Sequence, residues 1–263
     1  MTQRARPGKP APPPARKPSK HPILLTLLAL VVFAAVVMAR LPASWVLPMA
    51  RHELRCASVA GSVWDGYCGG AAVRGTSLGN LTWQVHPGDL LEARLAAHVA
   101  AVRADASIRA DVAIGLGGTV AARNLVIDLP LEPAFVPALP PYISGKVSAD
   151  LTRIEVTRAG VVEHIQGRIE VRHLIDSSGQ VTPLGSFIVT FPAAAGEPVG
   201  RLRDLGGPLA VEGSLRLTAQ PGYVLNARVA ARSGAVPSLL NALQYLGTPD
   251  AEGRRPFALA GTY

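Results

Sequence analysis

The chain has 263 residues, 49% hydrophobic, 5% aromatic and 17% charged, with a formal net charge of +8 and a mean hydropathy of +0.27. That length allows a sizeable core, the apolar content excludes disorder throughout, and two cysteines exclude a disulfide-dense secreted scaffold. A sequence pI near 10.1 invites a nucleic-acid reading, which turns on where the charge sits.

It sits at the start. Residues 1–22 hold Arg4, Arg6, Lys9, Arg16, Lys17 and Lys20 and no acid, so six of the eight net charges belong to this stretch. Pro7, Pro10, Pro12, Pro13, Pro14 and Pro18 interrupt it, and no apolar period runs through it. The composition predicts an extended, disordered tail. It has no aromatic residue on which a base could stack, so no nucleic-acid partner is expected.

Ile23 to Ala39, ILLTLLALVVFAAVVMA, carries no charge. Seventeen residues lie at the short end of what spans a bilayer, and the run predicts a transmembrane helix over 23–40. By the positive-inside rule the tail is then cytoplasmic and residues 41–263 are exported, to a bacterial periplasm. A cleavable signal peptide is the alternative, with small residues at Val37-Met38-Ala39. The length of the apolar run and of the tail favours an uncleaved anchor. Arg40 and Trp45 fall where side chains at a membrane interface are expected.

Export gives Cys56 and Cys68 a meaning, because nearby cysteines in an oxidising compartment pair. They are the disulfide candidates. Neither has a partner at CxxC spacing and no His lies between them, so a metal site is not expected.

Beyond the cysteines the apolar period becomes two. Asp89 to Val102 reads either as a helix opened by an Asp89–Glu92 capping box or as a strand. The alternation of Ala93, Leu95, Ala97 and Val99 favours a strand paired with Ile108 to Leu116. Val147 to Leu151, Ile169 to Val171, Phe187 to Phe191, Leu215 to Leu217, Leu225 to Val229 and Phe257 to Gly261 alternate likewise. A slip from odd to even positions between Leu151 and Ile154 predicts a bulge or a corner near Thr152. Ser233 to Gly247 predicts one helix, with Pro237 in its first turn, a stripe of Leu239, Leu240, Leu243 and Leu246, and Gly247 after its end. The fold class is therefore mainly β: an antiparallel sheet, twisted or partly rolled, or a sandwich, with one short C-terminal helix.

Chemistry is sparse. Gly75-Thr76-Ser77-Leu78-Gly79 matches G-x-S-x-G, but Asn80 to Val85 reads as a strand where a nucleophile elbow needs a helix. The six histidines are scattered without HxxxH or HExxH spacing. Asp111, Asp150, Glu155 and Glu170 fall at or beside positions that face water. No enzyme, cofactor or metal is expected.

Leu41-Pro42-Ala43-Ser44-Trp45 follows the apolar run, then Gly61-Ser62-Val63-Trp64-Asp65-Gly66, then Leu81-Thr82-Trp83. This order resembles the protein N component of bacterial type II secretion systems. Gly145 to Leu151, Leu239 to Gly247 and Leu259 to Gly261 extend the similarity more weakly. The basic tail and the cysteine pair lie outside that pattern. The resemblance implies a single-anchor inner-membrane accessory subunit with a β-rich periplasmic domain. It also implies contacts with other inner-membrane secretion subunits and with the outer-membrane secretin. Within it, Gly61 and Gly66 are expected to fold tightly around a buried Trp64, with Trp83 also in the core. The alternative is an anchored lipid-handling β-domain, which predicts a continuous apolar groove in place of a filled core.

Overall fold

A computed structural model of the chain describes residues 21–46, 54–73, 75–88, 94–115, 117–133, 135, 139–193 and 197–262. The chain divides into two units, Met1–Leu41 and Pro42–Tyr263.

The described part of the first unit is helix α1 (His21–Ala39). Every side chain described in it, from Leu24 onward, is exposed, and no face of it is polar. The expected transmembrane helix over 23–40 needs correction. No helix among the described residues is long and apolar enough to cross a membrane. At 1.5 Å per residue the apolar part, Ile23 to Ala39, rises about 26 Å, against a hydrocarbon core of about 30 Å.

The second unit opens with a short helix α2 (Ala43–Val46). Next come β1 (Leu54–Arg55), β2 (Ser58–Gly61), β3 (Asp65–Val73), β4 (Thr76–His86), β5 (Arg94–Val102), β6 (Ser107–Gly115) and β7 (Val120–Leu131). The remainder is β8 (Ile143–Val156), β9 (Val162–Asp176), β10 (Thr182–Phe191), β11 (Val199–Asp204), β12 (Leu209–Leu217), β13 (Tyr223–Ala231), helix α3 (Pro237–Gln244) and β14 (Arg255–Gly261). All fourteen strands among the described residues belong to one antiparallel sheet. From β3 onward each pairs with the next in sequence, while β1 and β2 both lie along β3. The architecture is a single meander and not a sandwich. The described part of the ambiguous stretch, Arg94–Val102, is strand β5, and the proposed capping residues Asp89 and Glu92 lie outside the described residues.

Register turns the alternation into two faces. Leu81, Ala101, Ile108, Ile127, Ala149, Ile169, Val189 and Leu202 stand opposite one another on successive strands, and the row continues through Gly213 and Ala227 to Phe257. One residue along, the row reads Arg109, Val126, Asp150, Arg168, Thr190, Arg201, Ser214 and Asn226. The first face is apolar and the second is wet.

The phase slip is a bulge. Leu151 pairs with Gly167 and Arg153 with Gln166, so Thr152 is an extra residue on β8. Its neighbour does the same: Arg109 pairs with Val126 but Asp111 with Arg123, which leaves an extra residue on β7. Asn124 has φ 50 there. Because both strands slip together, Leu125 and Ala122 share a face with Leu151 and Ile154, and the apolar face stays continuous.

Helix α3 lies against that face. Leu239 and Leu243 are buried with Leu202, Leu209, Val211, Ala227 and Val229, and Leu246 packs against the cluster. Leu240, expected in the stripe, is 44% exposed. It follows Leu239 directly, which turns it about 100° round the helix.

Candidate interaction surfaces

The Gly61–Gly66 turn is built by its own backbone and one serine. The Ser62 N–H donates to the Asp65 carbonyl at 2.7 Å. Its Oγ accepts from the N–H groups of Trp64 and Asp65 at 3.2 and 3.1 Å. Gly61 has φ +86, and a Cβ there would meet the Asp65 carbonyl oxygen at 2.4 Å. A Cβ on Gly66 would lie 2.1 Å from the ring of Trp83. The indole beside Gly66 is therefore that of Trp83, and not that of Trp64 as the resemblance implied. Trp83 stands opposite Gly66 in the register, and its Nε1–H donates to the Val63 carbonyl at 3.0 Å. Trp64 is half-buried in the bend before β3, and its carbonyl accepts from the Val85 N–H at 2.6 Å. Both indoles are part of the turn, and neither is fully buried.

Cys56 and Cys68 are joined by a disulfide, with a Cα–Cα distance of 5.4 Å. Cys68 is fully buried on β3, and the bridge ties the segment between β1 and β2 to it. Pro42 forms an isolated bridge with Ser62, and Ala43 is buried. Trp45, one turn on, is 70% exposed, and Arg40 is exposed.

The wet face is laced with charge. His98 Nδ1 lies 2.8 Å from Asp111 Oδ1, and Asn124 Nδ2 donates to Asp111 Oδ2 at 2.9 Å. Hydrogen bonds from His98 and then Asn124 hold the Asp111 carboxyl below its ordinary value. Arg168 pairs with Asp150 at 3.0 Å and Lys146 with Asp128 at 2.9 Å. These are exposed pairs of small energetic weight. The cluster at Asp111 is invisible in the sequence, because its members are thirteen residues apart on either side and meet only through register. Ser77 lies within β4, and its carbonyl accepts from Arg103. The chain around it is strand and not the strand–turn–helix of an elbow. His164 and His173 are exposed on β9. Among the described residues no three metal-ligating side chains gather.

Among the described residues the sheet is open at both ends of its strand order, at β1 and β2 and at β14. β14 pairs with β13 alone, which leaves its outer edge open. On the apolar face, beside α3, lies an open hollow of about 460 Å³, lined only by apolar side chains from β7 to β14, from Leu139 and from Leu243 and Leu246.

The family model for type II secretion system protein N matches residues 52–258, a span that starts at the disulfide-tied strands and reaches into β14. The chain belongs to the type II secretion system protein N family. Type II secretion system protein N of Aeromonas hydrophila is 23% identical over 261 residues, which covers 92% of this chain and 99% of that protein. No solved structure matches the chain. The protein N match takes in Gly61, Trp64, Gly66, Trp83 and both cysteines. It leaves out α1, Arg40 and Trp45.

Proposed function

We propose that this chain is a non-enzymatic inner-membrane accessory subunit of a type II secretion system, which makes protein–protein contacts in the periplasm for the export of folded proteins. The observation that carries the reading is the family match, which extends over almost the whole sheet. Three features support its finer parts. The exposed apolar side chains of α1 are costly in water and suit a bilayer, which thins locally around a short helix. The basic tail before α1 favours a cytoplasmic N-terminus, and a disulfide in the sheet suits an oxidising compartment. Contacts with other inner-membrane subunits, and with the outer-membrane secretin, would use the open β14 edge by strand addition.

The test is co-purification. Tagged full chain is cross-linked in intact cells and extracted from membranes. Recovery of other secretion-system subunits is the expected result, and recovery of none refutes the reading.

A further inference from the structure

The hollow beside α3 is not explained by a role in protein contacts. A sheet with an apolar face buries it against another layer. Among the described residues the layer is one eight-residue helix with Leu139 of the β7–β8 connection beside it, and the face runs on beyond them. Ile143, Ile169, Leu184 and Phe187, which line the hollow, are large, apolar and only half-buried. A filled core would have covered them.

Its size and lining select the occupant. A volume of about 460 Å³ is that of a small-molecule site. With no lining side chain to hold it by a hydrogen bond, water is poorly anchored there, and apolar hollows take up apolar guests. No lining side chain offers a hydrogen bond, which excludes a sugar, a nucleotide or an extended peptide, whose polar groups would be buried unpaired. A protein helix satisfies its own backbone, but one turn, about 10 Å across and 5.4 Å long, already takes about 420 Å³, so the hollow has room for little more than a single turn. A second copy laid face to face is obstructed, because α3 stands on the face where the other sheet would rest. A flexible hydrocarbon chain meets all of these conditions, and the exposed apolar helix α1 belongs to the same molecule.

We propose that the hollow beside α3, on the apolar face of β7–β14, binds an acyl chain of a membrane phospholipid. The inference rests on the hollow and stands apart from the secretion reading.

Full chain reconstituted into vesicles of phosphatidylethanolamine and phosphatidylglycerol tests it, with a trace of phospholipid bearing a diazirine on its acyl chain. After illumination the adducts are mapped by mass spectrometry. Label is expected both on α1, which serves as an internal control, and on residues of the hollow such as Ile169, Phe187 and Leu225. The variant Ile169→Trp fills the space, so loss of the hollow label with the α1 label kept is expected. Thr190→Trp, exposed on the wet face of β10, is expected to keep both. Label confined to α1 in the wild-type chain overturns the proposal, whether a second copy or the sheet itself closes the hollow. Hollow label that persists in an Ile169→Trp chain with an unchanged melting transition also overturns it. If Ile169→Trp does not fold, the wild-type map alone decides.

Discussion

Gly66 lies under the ring of Trp83, and the closeness of that contact sets what the position tolerates. Gly66→Ala would place a methyl group 2.1 Å from the indole, so the strand or the ring must shift. A loss of about 1–3 kcal/mol is expected, as for other overpacked sites, read as a lower midpoint in denaturant. Trp83→Phe keeps most of the ring but leaves the Val63 carbonyl without its donor, for a loss of about 1 kcal/mol. A second residue reports on pH. Asp204 accepts from the Val211 N–H at 3.0 Å, from Arg232 at 2.7 Å and from the Gly206 N–H at 3.1 Å. Burial opposes its ionisation, yet these donors prevail and hold the carboxyl below its ordinary value of 3.8. A depressed carboxylate stabilises in full above its unfolded value, and the gain disappears as pH falls through the folded value. Asp204→Asn is therefore expected to lower the melting temperature at neutral pH and to converge with the wild type in acid. At this scale the turn was legible and its packing was not. The Gly-Ser-Val-Trp-Asp-Gly spelling marks the turn, but which indole packs on Gly66 depends on the pairing of β3 with β4, and no local pattern contains that.

Among the elements, α3 offers the sharpest contrast. Leu239 and Leu243 face the sheet, while Leu240 points to solvent. Leu239→Ala or Leu243→Ala is expected to cost about 2–5 kcal/mol, and Leu240→Ala to stay within about 0.5 kcal/mol, by the same thermal melt. The disulfide closes a loop of sequence separation 12, so its reduction is expected to remove about 3 kcal/mol from the second unit. Reductant should then lower the melting midpoint of the wild type and leave that of a Cys56→Ser, Cys68→Ser chain unmoved. Strands were legible because alternation is local: β6, β10, β12, β13 and β14 fall where the apolar period places them. The bulge at Thr152 was legible for the same reason. Its companion at Asn124 was not, since the two apolar positions around it, Ala122 and Leu125, carry too weak a signal to mark a slip. The apolar run read as a span, whereas the helix it forms is short of one.

At the scale of the whole molecule, one sheet with a wet face and an apolar face carries both proposals. Period-two patterning predicted a β-rich body but could not separate a sandwich from a meander, because each gives the same alternation. The register decided it, with every strand from β3 onward paired to the next. Function was legible mainly through the short stretches from Leu41 to Trp45 and from Gly61 to Trp83, and the family match over residues 52–258 carries it across the sheet. A secretion subunit should matter to secretion, and the most direct measurement is of exported protein. The gene is deleted in frame, and the folded substrates of the secretion system are quantified in the medium and in the periplasm. Less substrate outside and more in the periplasm is expected, with both restored by the full chain. Unchanged secretion in the deleted strain would contradict the account.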